Sequence, residues 1–338
     1  MKALVWHGGH NFAVEECPEP RVEPGRIVVK VEAAAICGSD FHMDDFGATP
    51  PLILGHEVSG TVAGVGEGAS GFSVGDSVAL DPVQRCGACW CCTHGIGHLC
   101  ENYRHLGFGD TPGGWAEYVA IDAANAYPLP EGIGFAAACL VEPLAVCYES
   151  FERGGLLPGD KVLIIGDGPF GFIHAQMAKA LDAGRIIVAG HYNKRLSRIA
   201  AETGAITCNT HHQDLQEILN SQVGGPGIDI VIEATGAGAS PNVGIKALRP
   251  RGTIVIFSYI WKPQALDMSA IQMNELSVLG SCRSLNAYGP SLDLLGAGKV
   301  NTEAVVDLQL PLSEYKRAIE KLSQNKEEVF KVVFLPQA

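Results

Sequence analysis

Asp160–Gly190 reads DKVLIIGDGPFGFIHAQMAKALDAGRIIVAG, and its punctuation decides the fold. A short β-branched run ends in a glycine at Gly166. Helical periodicity follows over Phe172–Ala183, and "RIIVAG" (Arg185–Gly190) returns to a buried-strand pattern. Between strand and helix, Gly166-Asp167-Gly168-Pro169-Phe170-Gly171 fits G-x-G-x-x-G. In a chain with 41 glycines the pattern alone carries little weight. In a strand–turn–helix it has a mechanism. The first glycine makes the tight turn, the second lets backbone approach a pyrophosphate, and the helix N-terminus takes the negative charge.

Downstream the alternation continues through the helix "KRLSRIAAETGA" (Lys194–Ala205) and the strands "IDIVIEATG" (Ile228–Gly236) and "GTIVIFS" (Gly252–Ser258). This spacing predicts an α/β fold with a parallel, doubly wound sheet over residues 144–284, with Thr235 at the end of one strand as a further cofactor-binding candidate. Upstream the texture differs. "IVVKVEAAAICG" (Ile27–Gly38), "EVSGTVAGVG" (Glu57–Gly66) and "DSVAL" (Asp76–Leu80) are short β-rich runs cut by glycine and proline. After Leu279 the alternation stops, and one helix, "LSEYKRAIEKLSQN", precedes a last strand, "FKVVFLP".

A dinucleotide fold usually carries an acid about 20 residues past the glycine turn, where it holds the adenosine ribose hydroxyls. In this chain Gly190 stands at that place, followed by His191, Lys194 and Arg195, and the next carboxylate is Glu202. Cations without an acid suit a 2′-phosphate, so the expectation is a preference for NADP over NAD.

Bulk properties narrow the function classes. A chain of 338 residues suits two domains. The formal net charge of −13 argues against nucleic acid or an anionic membrane as partner. No signal peptide and no apolar run long enough to span a bilayer is read, and eleven cysteines are expected as reduced thiols in the cytoplasm.

Some of those thiols have metal-ligand spacing. Cys86, Cys89, Cys92 and Cys100 form C-x2-C-x2-C-x7-C in a lobe over residues 85–101. Four thiolates close a tetrahedron and leave no open position, so this zinc is expected to be structural, with Cys91 as the spare. Cys37 in "CGSDFH", His56 and Glu57 in "GHE", and Glu142 in "VEPLAV" are a dispersed second set, which spacing alone cannot assemble.

Taken together, "CGSDFH", "LGHEVSGTVAGVG", "GDSVAL", the four-cysteine lobe, "GGWAEY", "VEPLAV" and "GDGPFG" run in the order and spacing of one family. The chain resembles the zinc-dependent medium-chain dehydrogenases over nearly its whole length. It is most similar to the polyol branch of sorbitol and xylitol dehydrogenases, with threonine dehydrogenase as a cousin. The resemblance implies a GroES-like catalytic domain from residues 1–143 and 285–338, a Rossmann domain over 144–284, and an active site in the cleft. It implies a catalytic zinc on Cys37 and His56 with Glu57, Glu142 or both. Neighbouring strand residues point to opposite faces, so His56 and Glu57 share an ion only if the backbone turns there. By resemblance Ser39 takes the hydroxyl proton and passes it by the cofactor ribose towards His42, histidine being the side chain that ordinarily titrates near neutral pH. Arg283 is implied near substrate and cofactor, and Phe46 and Trp115 are candidate pocket walls.

The activity expected is interconversion of a secondary alcohol, in a polyol, sugar or cyclitol, with its ketone, in a homodimer or homotetramer. Threonine or simple alcohol dehydrogenation is the alternative within enzymes. A nucleotide-binding structural protein is the alternative outside them, and retaining one zinc per chain instead of two would favour it.

Overall fold

The computed structural model describes residues 1–338, which form two compact units, Met1–Ala145 with Leu285–Ala338, and Val146–Ser284. The second unit is a six-stranded sheet with every neighbouring pair parallel. Its order is Ile206–Asn209, Arg185–Gly190, Lys161–Ile165, Ile228–Glu233, Leu248–Ile256, Ser277–Gly280. The chain therefore starts in the middle, winds outward on one side, then returns and winds out on the other. Central strands of such a sheet are covered on both faces, which is why Leu163, Ile187, Val231 and Ile254 are apolar and fully buried.

Proline at the first turn of helix Pro169–Ala180 presets its backbone without losing a hydrogen bond. One polar side chain of this helix is sunk in the interior. His174 is fully buried; its Nδ1 donates to the Phe170 carbonyl at 2.8 Å, and Nε2 lies 2.8 Å from the Ser150 hydroxyl. Burial pulls its pKa down to about 4, so it is held neutral.

The first unit is built on a seven-stranded sheet. Its long strand, Arg26–Ala35, pairs antiparallel with Glu57–Val65 on one side. On the other it takes Tyr118–Asp122 near its start and Lys331–Phe334 near its end. Ala35 is thus opposite both Glu57 and Val333. Three distant stretches of sequence meet at this strand end: the residues after Ala35, the start of the Glu57 strand, and the start of the last strand. Trp115, Phe12 and Phe334 pack in the core of this unit, with Trp115 only 1% exposed.

Candidate active site and metal centres

The meeting point beside Ala35 is also where the ligand candidates converge. Cys37 Sγ, a ring nitrogen of His56 and a carboxylate oxygen of Glu57 all lie within 4.8 Å of one another, and all three residues are buried. The alternation argument does not separate His56 from Glu57, because the regular strand begins only at Glu57. Gly55, at φ +93°, turns the chain immediately before.

Each ligand candidate has a partner behind it. Cys37 is followed by the short 3-10 turn Gly38–His42. From that turn Asp40, 1% exposed, reaches back: Oδ2 accepts from the Cys37 N–H at 2.8 Å, and Oδ1 faces His56 Nδ1 at 3.3 Å. Burial works against a charged His56 ring, but Asp40 and Cys37 outweigh it and hold its pKa well above the ordinary value. Lys331, 2% exposed, donates to the Ile36 carbonyl at 3.1 Å and forms an ion pair with Glu57 Oε1. Burial lowers the pKa of this lysine; Glu57, then Cys37, more than restore it, so the ammonium is held above its usual range.

Glu57 Oε2 is buried and accepts no hydrogen bond. An orphaned carboxylate oxygen beside a thiol and an imidazole is a mixed sulfur, nitrogen and oxygen donor set, which suits zinc with an open position. Glu142, half-buried, is outside the three-residue donor set. Burial pushes its pKa up to about 7, with His56 lowering it and Glu57 raising it.

The four sulfurs of Cys86, Cys89, Cys92 and Cys100 also lie within 4.8 Å of one another, and Cys91 is outside the set. Backbone N–H groups point at them: Cys89 N donates to Cys86 Sγ at 3.4 Å, and Cys86 N to Cys100 Sγ at 3.3 Å. Donors from Ala88 and Cys89 lower the Cys86 pKa to about 6. Desolvation and the neighbouring sulfurs instead push Cys92 up to about 12, and four sulfurs this close fit a divalent cation that would keep them as thiolates.

Ser39 and His42 share the Gly38–His42 turn; Ser39 is half-buried, while His42 is exposed with Nδ1 2.9 Å from Asp45 Oδ2. Phe46 packs on Phe108 at 5.4 Å between ring centroids, and Phe108 and His105 each lie 5.4 Å from the His56 ring. Phe46 is therefore part of an aromatic wall leading to the ligand set. The expectation for Trp115 is corrected: it is core, its indole N–H pointing at the Ala35 carbonyl at 3.4 Å. Asp40, Lys331, His105 and Phe108 were not found by sequence reasoning. Asp40 alone left a local signal, three residues after Cys37.

In the second unit the glycine turn has the shape a pyrophosphate needs. Gly166 has φ +129°, a region that disfavours side chains. A Cβ on Gly171 would meet the Gly166 carbonyl oxygen at 2.0 Å, so helix and turn close tightly. Gly168, the N-cap of helix Pro169–Ala180, has open space where a side chain would project. Thr235 N–H and hydroxyl both donate to Glu233 Oε1, which fixes the loop after the fourth strand. Arg283 is half-buried with φ +61° at the end of this unit.

The premise that no carboxylate stands at the end of the second strand is corrected. A Cβ on Gly190 would fall 2.4–2.5 Å from Asp167 Cβ, Cγ and Oδ2. A carboxylate therefore does stand at this strand end, carried by the neighbouring strand's turn. His191 and His211 rings lie 4.3 Å apart, Lys194 is exposed, and Arg195 lies over the Tyr192 ring at 5.4 Å.

Both units have counterparts among known proteins. Residues 23–131 match the family described as "Alcohol dehydrogenase GroES-like domain", and 169–297 match "Zinc-binding dehydrogenase". The chain is 33% identical to a sorbitol dehydrogenase of Halalkalibacterium halodurans, covering 99% of each. It superposes on a structure described as a short chain alcohol dehydrogenase of Escherichia coli complexed with NADH, at TM-score 0.93, 27% identity and 99% coverage of each chain. A zinc-binding dehydrogenase structure from Sinorhizobium meliloti bound to NADP matches at TM-score 0.91 and 30% identity, again over 99% of each chain.

Proposed function

The chain belongs to the zinc-dependent alcohol dehydrogenases built from a GroES-like and a nucleotide-binding domain, and on that premise we propose its reaction: a secondary alcohol of a polyol, sugar or cyclitol exchanges hydride with a nicotinamide dinucleotide, giving the ketone. The observation that carries this is the cluster of Cys37, His56 and Glu57 donor atoms. These three would hold the catalytic zinc, and Cys86, Cys89, Cys92 and Cys100 a structural one, giving two per chain. When bound, zinc supplies a Lewis acid for the alcohol oxygen and the nicotinamide a hydride acceptor.

The chain's own residues do the rest. Asp40 orients the His56 ring by facing Nδ1, which leaves Nε2 for the metal. Lys331 pins one oxygen of Glu57 and leaves the other free. The Phe46, Phe108 and His105 rings line the approach and keep water out. Ser39 accepts the hydroxyl proton, and His42, exposed in the same turn, hands it to solvent. Self-association as a dimer or tetramer is supported by exposed Met268 and Met273 beside the edge strand Ser277–Gly280.

The test is turnover with NAD and NADP on a panel of polyols, cyclitols, aminocyclitols and L-threonine. Oxidation of a polyol or cyclitol, abolished by Cys37→Ala, is expected. Turnover unchanged in Cys37→Ala and His56→Ala, or none on any alcohol, would overturn the reading.

A further inference from the structure

The strand that should carry a ribose-binding acid ends in Gly190, yet its side-chain space is filled. The occupant is Asp167, from the glycine turn one strand over. The register explains how it arrives: Ile165 pairs with Ala189, and Gly166 N–H donates to the Ala189 carbonyl at 2.8 Å. Two residues past that point the Asp167 side chain crosses in front of Gly190. Oδ2 accepts from the backbone N–H groups of His191 and Tyr192, each at 2.7 Å. Asp167 is 7% exposed, and both of these hydrogen bonds are to Oδ2, none to Oδ1. Gly190 has no side chain because Asp167 has taken its room.

We propose that Asp167 is the carboxylate that holds the adenosine ribose, and that it selects NAD against NADP. The proposal rests on the reading of this unit as a dinucleotide site. Oδ1 is the acceptor for a ribose hydroxyl. Oδ2 uses the two backbone N–H groups that a 2′-phosphate would need, and the carboxylate repels such a phosphate. Among the nearby cations, Arg195 is drawn over Tyr192 and Lys194 opens the following helix on the exposed side. This proposal runs opposite to the NADP preference expected from the bare sequence.

The experiment measures equilibrium binding of ADP-ribose and of 2′-phospho-ADP-ribose by calorimetry on the full, zinc-loaded chain. Neither probe carries a nicotinamide, so the alcohol chemistry is not involved. Wild type should bind ADP-ribose ~10-fold or more tightly than its 2′-phosphate, the ratio expected from one charge-assisted hydrogen bond. Asp167→Asn keeps an acceptor for the two N–H groups but removes the charge, and should bring the ratio close to one. Gly190→Asp alone should lose both probes for want of space, and Asp167→Ala with Gly190→Asp should recover ADP-ribose selectivity. Preference of the wild type for the 2′-phosphate, or an unchanged ratio in Asp167→Asn, would overturn the proposal. If Asp167→Asn fails to fold, the wild-type ratio and the double variant decide. Failure of both probes to bind wild type would instead overturn the dinucleotide site itself.

Discussion

Lys331→Met should be the most damaging single substitution in the catalytic unit that replaces no proposed metal ligand. The lysine is 2% exposed and Glu57 is fully buried, so the variant leaves a carboxylate in the interior without its cation. Breaking a buried pair by removing one partner costs about 3–5 kcal/mol. At 2–4 °C per kcal/mol, that lowers the melting temperature of the metal-free protein by roughly 6–20 °C. Two controls sharpen the reasoning. Glu57→Gln with Lys331→Met removes both charges and should recover most of the loss. The proposed catalytic zinc would bind the folded state and give Glu57 a new counter-charge, so adding zinc should narrow the gap between variant and wild type. Calorimetry on chelator-treated and zinc-loaded protein provides the comparison. A metal-free Lys331→Met melting within about 2 °C of wild type would mean that the Lys331–Glu57 pair contributes little to stability.

Cys92→Ser should lose one zinc per chain by atomic spectroscopy, and Cys91→Ser none, because only Cys92 belongs to the sulfur cage. Gly171→Ala should abolish binding of the reduced dinucleotide, followed by its fluorescence, since the new methyl meets the Gly166 carbonyl oxygen at 2.0 Å. His174 gives a pH dependence: its folded pKa, about 4, is below the unfolded value of 6.5, so its contribution is complete above pH 6.5 and is lost as pH falls through 4. The nucleotide-binding unit should lose about 3 kcal/mol across that window, and His174→Gln should flatten the profile in denaturant titrations at stepped pH.

What was legible in the sequence was what is local. The glycine turn and its flanking strands lie within 31 residues, and the cysteine cage within 15, so periodicity and spacing carried both. What stayed hidden depends on strand register. Lys331 meets Glu57 only because Ala35 is opposite both Glu57 and Val333. Asp167 was visible as a residue of the turn but not as the occupant of Gly190's space, since the two are joined by pairing between strands. Trp115 was ambiguous for another reason: one aromatic beside two glycines fits a pocket wall as well as a core, and only burial separates them.

The pairing of Glu57 with Lys331 also dictates when the catalytic unit can mature during synthesis. The partners are 274 residues apart, and the entire nucleotide-binding unit is encoded between them. At about 5–20 residues per second, translation of that interval takes roughly 14–55 seconds. Throughout it the first half of the catalytic sheet waits with a carboxylate that has no cation and a long strand that lacks its C-terminal neighbour. The inserted unit has all its strands before Lys331–Phe334 emerges, so it folds first, and the catalytic unit closes around a strand made later.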